Sequence, residues 1–327
     1  MKPSYELRLM RAALDAVEEG VILLDSELKA RFMNRAVREL WRVPDALADR
    51  QPHYTELLND VHQTHAYGVP VEELESYIAH RLAAVTAGDT SPTDIPVNDG
   101  RVIRARCTVL PGGGRLLTYS DVTDLVRAAR EMHRLATEDS LTGILNRRRF
   151  MEIADAEWVK YLRYQSPLSL ISFDLDRFKS VNDRYGHGIG DQLLIRFTQI
   201  CCEEKRGPDV LARVGGEEFV ILTPETSLVE AFNLAERIRR RAEMEPLLLH
   251  DGRVRWTVSV GLAEAASSMS GLQDLLRLAD SALYEAKSAG RNQVRPPVDL
   301  SPNSVADLSG IRRRANTGRS RSFHRLS

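Results

Sequence analysis

The chain has 327 residues, with 45 Lys and Arg against 46 Asp and Glu, and a net charge of −1. This balance does not favour binding to nucleic acid or anionic membranes, and no apolar run approaches the ~18 residues of a membrane span. Three cysteines, an odd number, do not make a disulfide framework. With no apolar signal region at the N-terminus, we expect a cytoplasmic protein, and the length predicts two domains.

Short apolar strands alternate with helices over residues 8–122. The predicted elements are strands at 20–25 and 30–33, helices at 34–41 and 71–87, and a closing hairpin of 102–110 with 116–120. This order, with the closing Ser120-Asp-Val-Thr-Asp124, resembles a PAS domain, which implies an antiparallel sheet with helices. The resemblance implies a sensor or a dimerisation domain and leaves its ligand unknown. His62, His65 and His80 suggest haem only weakly, because isolated histidines are more often ordinary surface residues.

Apolar residues recur at a spacing of three and four over residues 123–136, at Leu125, Ala128, Met132 and Leu135. This spacing predicts a short two-stranded coiled coil that links the two domains. Such a short coiled coil is marginal in water by itself, so pairing of the N-terminal domains is expected to support it. A helix that serves only as a spacer is the alternative. A one-residue insertion near Met132 distinguishes the two: it rotates the seam and should change activity if the helix couples the domains. Wild-type turnover and regulation would favour the spacer.

Residues 168–173 are apolar enough to form a buried strand that ends at Asp174, with Asp176 two residues further on. Alternation along a strand places both carboxylates on one face, at the carboxyl end of the strand. Ligand sites of α/β sheets occur at that edge, and oxygen ligands suit Mg²⁺ or Mn²⁺. A helix is predicted just after them, so capping of its N-terminus remains an alternative for either acid.

Two apolar runs, 210–214 and 219–222, flank Gly215-Gly216-Glu217-Glu218, which predicts a β-hairpin. The glycines allow a ligand to approach the backbone closely. Adjacent carboxylates at the tip of a turn repel each other, so a divalent cation is expected to compensate them, although a solvated acidic turn is an alternative. Asp174 and Glu217 would then bracket a metal bound to a phosphate, which suits phosphoryl or nucleotidyl transfer.

Residues 137–295 resemble the GGDEF-domain family of diguanylate cyclases. The resemblance rests on ordered motifs at 139–150 (DSLTGILNRRRF), 173–179 (FDLDRFK), 182–191 (NDRYGHGIGD), 213–219 (RVGGEEF), 258–262 (VSVGL) and 279–292 (ADSALYEAKSAGRN). It implies a central sheet flanked by helices, a fold related to nucleotidyl cyclases and polymerase palm domains. It also implies a reaction in which two GTP condense to cyclic di-3′,5′-GMP and two pyrophosphates. A homodimer is implied, because each domain binds one GTP and two domains must face each other.

The resemblance also implies roles for single residues at the metal site. Asp174, the carbonyl of Leu175 and Glu217 are expected to ligate Mg²⁺ or Mn²⁺, two ions per active site. Glu217 is the candidate to help deprotonate the attacking 3′-hydroxyl, and Glu218 is expected to support the metal site or the loop.

The same resemblance assigns the nucleotide. Asn182 and Asp191 are expected to bind the guanine edge, because a carboxylate accepts from the two donors N1–H and N2–H, a pair that adenine does not offer. Asp191 therefore favours GTP over ATP, with N-capping of a helix over 192–203 as a second, compatible role. The phosphate-binding residues are expected to be Phe178, Lys179, Lys287 and Arg291. The last two are four residues apart, which would place both on one helix face, where a solvated helix end is the alternative.

A second site is indicated by Arg206-Gly-Pro-Asp209, with five residues between Asp209 and Gly215. This offset matches the RxxD inhibitory site of the family, which binds cyclic di-GMP as product and inhibitor, and Arg237 falls where a further product-binding arginine is expected. Arginine forks pair well with phosphate. By itself, however, an RxxD pair is a common surface salt bridge.

Residues 296–327 are rich in Ser, Pro, Asn and Arg and have no core pattern, so a disordered tail is predicted. Two further functions stay open for the whole chain: a receptor that binds cyclic di-GMP without making it, and a PAS-based interaction scaffold with weak activity. The intact Gly215–Phe219 loop, with Asp174, Asn182 and Asp191, favours the enzyme over a degenerate receptor.

Overall fold

The computed structural model describes residues 5–63, 67–249 and 252–297, and the chain divides into two compact units, Met1–Glu131 and Met132–Ser327. The predicted tail lies outside the described residues from residue 298 onward, as do His65 and the side chain of His62. No helix within the described ranges is long and apolar enough to cross a membrane.

The first unit contains a five-stranded antiparallel sheet in the order β2-β1-β5-β4-β3. Its strands are β1 Gly20–Leu24, β2 Ala30–Met33, β3 Thr93–Pro96, β4 Val102–Val109 and β5 Arg115–Asp121. Its helices are α1 Tyr5–Asp15, α2 Arg35–Trp41, α3 Asp45–Ala48, α4 Tyr54–Gln63 and α5 Val71–Ala87. The predicted strand pair, the closing hairpin and the antiparallel PAS-like sheet are confirmed, while α1, α3, α4 and β3 were not predicted.

Asn34 determines where the first strands end and α2 begins. Its Oδ1 accepts hydrogen bonds from the backbone N–H of Val21 (2.8 Å) and of Val37 (3.1 Å), so it caps α2. Its Nδ2 donates to the carbonyls of Leu14 (2.9 Å) and Glu19 (2.8 Å), which fixes the segment after α1. A fully buried amide thus satisfies four backbone groups of three segments.

Helix α6, Thr123–Thr137, matches the predicted linker helix. The apolar seam predicted on it is present and exposed: Leu125, Met132 and Leu135 keep more than half of their surface accessible. An amphipathic helix normally buries its apolar stripe against another element. The exposed stripe is therefore available for pairing.

The second unit is built on a six-stranded sheet in the order β13-β12-β7-β9-β8-β6. Its strands are β6 Leu145–Asn146, β7 Leu168–Leu175, β8 Val210–Arg213, β9 Glu218–Pro224, β12 Val258–Glu264 and β13 Val294–Arg295, and a separate pair is formed by β10 Leu247–Leu249 and β11 Gly252–Val254. The central strand β7 is antiparallel to both of its neighbours, β12 and β9, and all of its residues are buried.

Helices cover both faces of this sheet. They are α7 Arg147–Tyr164, α8 Phe178–Tyr185, α9 His187–Glu204, α10 Leu228–Met244 and α11 Leu272–Ser288. One buried core joins the sheet to α9 and α10 through residues such as Phe173, Phe197 and Ile238. A second core joins the opposite face to α7 and α11 through Phe150 and Leu275. The predicted central sheet flanked by helices is confirmed.

Candidate active site

The predicted hairpin of β8 and β9 places its acidic turn beside the end of β7. Glu218 is directly paired with Asp174, and the backbone N–H of Leu175 donates to the carbonyl of Glu217 (3.3 Å). The N–H of Val214 closes the turn on the carbonyl of Glu218 (3.0 Å). The sequence-predicted carboxylates from two distant segments are therefore brought to one edge of the sheet.

Arg213 holds this turn in place. Its Nη2 donates to the carbonyl of Gly216 (2.6 Å), and its Nη1 donates to both oxygens of Asp139 (2.9 and 3.2 Å). Asp139 in turn accepts from the backbone N–H and the hydroxyl of Thr142. The guanidinium thus ties the glycine turn to the first motif of the unit, a positioning role that the sequence analysis did not assign.

Asp174 is 5% exposed and forms an ion pair with Lys287, whose Nζ lies 2.6 Å from Oδ2. Burial raises the pKa of Asp174 above its ordinary value, while the ion pair opposes this rise. Burial also raises the pKa of the half-buried Glu217, and the negative charge of Asp174 adds to the effect. Asp174 and Glu217 are close enough to repel each other, and the ammonium of Lys287 already neutralises Asp174 in part.

The donors at this edge suit a hard divalent cation. Within the described ranges, no cluster of three or more His, Cys, Asp or Glu side chains has the geometry of a metal site. The carboxylates of Asp174 and Glu217 and the backbone beside Leu175 nonetheless supply only oxygen, which Mg²⁺ and Mn²⁺ prefer. The mutual repulsion of the two acids favours a bound cation, because the cation would remove the cost of keeping both ionised.

Asp176 does not serve as an N-cap. Its carboxylate accepts from the hydroxyls of Thr257 (2.6 Å) and Ser259 (2.6 Å) and from the backbone N–H of Asn292 (3.0 Å). The N-cap of α8 is Arg177, which is in the left-handed region and makes no side-chain cap bond. Asp176 therefore joins β12 and the segment after α11 to the end of β7, and its capping alternative is wrong.

The predicted guanine-binding residues lie on α8 and α9. The Oδ1 atom of Asn182 is buried without a hydrogen-bond partner. A Cβ placed on Gly190 would lie only 1.9 Å from that atom, so the glycine leaves room for the amide. Asp191 is exposed inside α9, which begins at His187 after Gly186 takes φ +84°. Its predicted N-cap role is wrong, because the helix begins before it and not at Gln192.

The predicted phosphate-binding residues are spread over two helix ends. Phe178 is buried and Lys179 is exposed at the start of α8, whose N-terminus has no side-chain cap, so its first backbone N–H groups are available to an anion. Lys287 contacts Asp174, as described above. Arg291 lies beyond the end of α11, with φ +64°. The expectation that Lys287 and Arg291 share a helix face is wrong, since the helix ends at Ser288.

Comparison with known proteins agrees with this architecture. The family profile "Diguanylate cyclase, GGDEF domain" matches residues 136–293, and the profile "PAS fold" matches residues 14–130. The solved coiled coil and GGDEF domain of DgcB from Caulobacter crescentus, in complex with c-di-GMP, is 30% identical with a TM-score of 0.50. The match covers 54% of this chain and 93% of that one. The chain belongs to the GGDEF-domain family.

Two diguanylate cyclases are similar over the same region. Diguanylate cyclase DgcM of Escherichia coli K12 is 38% identical over 179 residues, covering 55% of this chain and 43% of DgcM. A diguanylate cyclase of Vibrio cholerae is 35% identical over 180 residues, covering 55% of this chain and 56% of the relative. The chain thus spans about half the length of the relatives it matches.

The residues predicted for a product site gather around a cavity of about 260 Å³ on the GGDEF domain. Arg206 contacts Asp209 at 3.2 Å and also contacts Thr226, while the backbone N–H of Arg206 donates to Asp209 Oδ2 (2.8 Å). Arg237 lines the same cavity and is held by Glu204 at 3.0 Å. All three predicted residues therefore face one space, although each arginine is paired with an acid.

Burial of Glu217 and its repulsion by Asp174 predict a pH-dependent gain in stability for Glu217→Gln. The folded-state pKa of Glu217 is raised above its ordinary 4.5, so the folded protein binds this proton more tightly than the unfolded chain does. Ionisation of Glu217 therefore lowers the stability of the folded protein when the pH is above the folded-state pKa. At a pH below the ordinary value of 4.5, Glu217 is protonated in both states and has no such effect. We expect the variant to melt at a higher temperature than the wild type near neutral pH without divalent metal, and the difference to vanish in acid.

Thermal melts in EDTA over a pH series measure this effect. Asp174→Asn is the comparison, because it leaves Lys287 without its partner and is expected to melt at a lower temperature than Glu217→Gln. A melting temperature for Glu217→Gln that stays below the wild type near neutral pH would contradict the electrostatic account.

Proposed function

We propose that this protein is a diguanylate cyclase, which condenses two GTP into cyclic di-3′,5′-GMP with release of two pyrophosphates. The observation that carries the proposal is the position of the acidic turn against the end of β7: Glu218 pairs with Asp174, and the Leu175 N–H donates to the Glu217 carbonyl. The Lys287 ammonium lies 2.6 Å from Asp174 at the same place. Nucleotidyl transfer needs such a place, where positive charge is held beside an acid able to accept a proton.

At this edge, Asp174, Glu217 and the Leu175 carbonyl would hold the divalent cations. The bound cations would neutralise the charge that develops on the phosphates and orient the attacking hydroxyl. Glu217, whose pKa is raised by burial and by Asp174, is suited to take the proton of the 3′-hydroxyl, because a general base works best when its pKa approaches the operating pH. Glu218 would keep the turn paired with β7.

The remaining residues would hold the nucleotide. Asn182, with its unpartnered buried oxygen, and the exposed Asp191 would accept from the guanine N–H groups. The first turn of α8, from Phe178 and Lys179, would bind phosphate oxygens through backbone N–H groups. Lys287 and Arg291 would add positive charge beside the phosphates. Lys287 would leave its ion pair with Asp174 and contact a phosphate instead.

Catalysis requires a homodimer, since each domain holds one GTP and the two reacting groups belong to different nucleotides. We propose that α6 pairs through its exposed seam of Leu125, Met132 and Leu135. We propose domain limits of 8–122 for the sensor, 123–136 for the coupling helix and 137–295 for the cyclase. The seam then belongs to the helix that connects the two domains. The sensor would then regulate the cyclase pair by changing the geometry of the helix.

Incubation of the purified full-length protein with GTP and Mg²⁺, followed by mass spectrometry, tests the proposal. We expect cyclic di-GMP and pyrophosphate from GTP and no cyclic dinucleotide from ATP, because Asp191 matches guanine. Any cyclic di-GMP that copurifies must first be removed. Binding of cyclic di-GMP without any turnover of GTP in the stripped protein would favour a receptor instead.

We further propose that cyclic di-GMP inhibits the enzyme at the Arg206 cavity. Arg206→Ala is expected to raise the concentration of product needed for half inhibition at least tenfold, because a charge-assisted hydrogen bond to phosphate contributes about 1.5–3 kcal/mol. The initial rate without product should stay within a few-fold of the wild type. Initial-rate assays with added cyclic di-GMP measure this directly.

Arg253→Ala is the matched control, because Arg253 is an exposed arginine of the same domain that does not line the cavity. Its inhibition curve should coincide with that of the wild type. Inhibition that persists unchanged in Arg206→Ala would leave Arg206 and Asp209 as a local salt bridge only.

A further inference from the structure

A buried arginine without a counter-charge lies in the core of the PAS unit. Arg81, on α5, is 6% exposed, and its Nε atom has no hydrogen-bond partner. Among the described residues, no carboxylate lies within ion-pair distance of its guanidinium. Asp60 on α4 also has a buried oxygen without a partner, but it does not bond to Arg81. Guanidinium groups remain charged in proteins, so a full positive charge is enclosed here.

The groups around Arg81 are tyrosines. Tyr54, Tyr67, Tyr77 and Tyr119 are the groups whose charges would act most strongly on it. They belong to one aromatic cluster: the ring of Tyr67 lies 5.3 Å from that of Tyr77, and the hydroxyls of Tyr54 and Tyr119 are 3.5 Å apart. The indole of Trp41 completes the cluster, 5.4 Å from Tyr67 and 5.7 Å from Tyr119.

These tyrosines do not neutralise the arginine. Burial raises the pKa of Tyr77 to about 12 and raises the pKa values of Tyr67 and Tyr119 as well. All three hydroxyls therefore keep their protons near neutral pH. The Tyr77 hydroxyl is itself buried without a partner. Among the described residues, the interior thus presents a cation and an unused O–H donor, and neither is bonded to a carboxylate.

An isolated buried charge is costly, and folded proteins normally pair or neutralise it. Arginine cannot neutralise itself by losing a proton. We propose that the PAS unit binds a small organic carboxylate, whose anionic group pairs with Arg81 and accepts a hydrogen bond from Tyr77.

The chemistry favours a carboxylate over a more highly charged anion. A guanidinium fork matches the two oxygens of a carboxylate, and only one cation is enclosed in the cluster. The surrounding rings of Trp41, Tyr67 and Tyr119 are suited to cover the apolar body of such a ligand. This inference does not rest on the proposed cyclase activity, and binding to the PAS unit is measurable without GTP.

Isothermal titration calorimetry of the dialysed full-length protein tests the proposal. The probes are sodium acetate, sodium benzoate and sodium succinate, with acetamide, benzamide and sodium phosphate as comparisons at matched ionic strength. We expect at least one carboxylate to bind, and its neutral amide to bind at least tenfold more weakly. Binding by none of the three carboxylates, or equal binding of acid and amide, would overturn the proposal. Binding of phosphate alone would overturn the assignment to carboxylates.

Two variants localise the ligand. Arg81→Met keeps much of the side-chain volume without the charge, so it should weaken carboxylate binding at least tenfold, and Tyr77→Phe should weaken it several-fold. Arg106→Met, at an exposed position of β4, should bind as the wild type does. Without ligand, Arg81→Met should melt at the same or a higher temperature, because it removes an unpaired buried charge. A lower melting temperature, or unchanged carboxylate binding in Arg81→Met, would assign Arg81 to the fold and overturn the proposal.

Discussion

Glu217→Gln is expected to reduce the rate of cyclic di-GMP formation by about a thousandfold, because metal-assisted charge stabilisation contributes several kcal/mol and each ~1.4 kcal/mol is a factor of ten. The glutamine keeps the shape of the side chain. It removes both the negative charge that would help Asp174 hold the cation and the base that would accept the 3′-hydroxyl proton. Initial rates at saturating GTP and Mg²⁺, followed by mass spectrometry or by pyrophosphate release, measure the loss.

Glu225→Gln is the matched control, because it makes the same change at an exposed glutamate just beyond the other end of β9. This variant should keep the wild-type rate. The Glu217→Gln protein should also show wild-type circular dichroism and a melting temperature no lower than that of the wild type. A folded Glu217→Gln protein that turns over GTP at the wild-type rate would disprove both the metal role and the base role of this residue.

Loss of activity together with a gain in stability would have one physical origin. Burial raises the pKa values of both Asp174 and Glu217, and the negative charge of Asp174 raises the pKa of Glu217 further. The chain therefore keeps an unfavourable arrangement at this edge of the sheet. Catalytic sites commonly lower the stability of the fold in this way, and the binding of cation and substrate offsets the loss. The Lys287 ammonium relieves only part of it in the chain alone.

Several parts of this site were predictable because their signals are local. The apolar run that forms β7 ends at its acids, and the glycine pair joins the runs that form β8 and β9. Strand period and turn chemistry are properties of a few neighbouring residues. Sequence alone therefore placed Asp174 and Glu217 at the same edge of the sheet, as the structure has them.

The parts that were missed or wrong depend on contacts between distant segments. Arg213 and Asp139 are 74 residues apart, and Asp176 meets Asn292 across 116 residues. No local pattern reports such a pair. The start of α9 was placed too late because its first turns contain two glycines, which weaken the helical signal. Arg81 was not noticed because an arginine on an amphipathic helix normally reaches solvent.

Gly261→Ala is expected to destabilise the GGDEF domain by about 3 kcal/mol or more, as overpacking of a tight core does at its upper end. Gly261 lies in β12, and a Cβ there would sit 2.2 Å from the carbonyl oxygen of Ala279 and 2.3 Å from the backbone nitrogen of Leu283. Both are backbone atoms of α11, so no side-chain rotation relieves the clash. The whole helix would have to move away from the strand. Urea denaturation followed by circular dichroism measures the loss.

Gly188→Ala provides a control of opposite sign. It makes the same substitution inside α9, where a Cβ would meet nothing within 4 Å, and alanine favours a helix over glycine by about 1 kcal/mol. We expect this variant to be as stable as the wild type or more stable. If Gly261→Ala matched it, the close approach of β12 and α11 would be refuted. That approach also has a functional consequence, because α11 carries Lys287 to Asp174. Gly261 therefore helps to bring the positive charge of Lys287 to the active site.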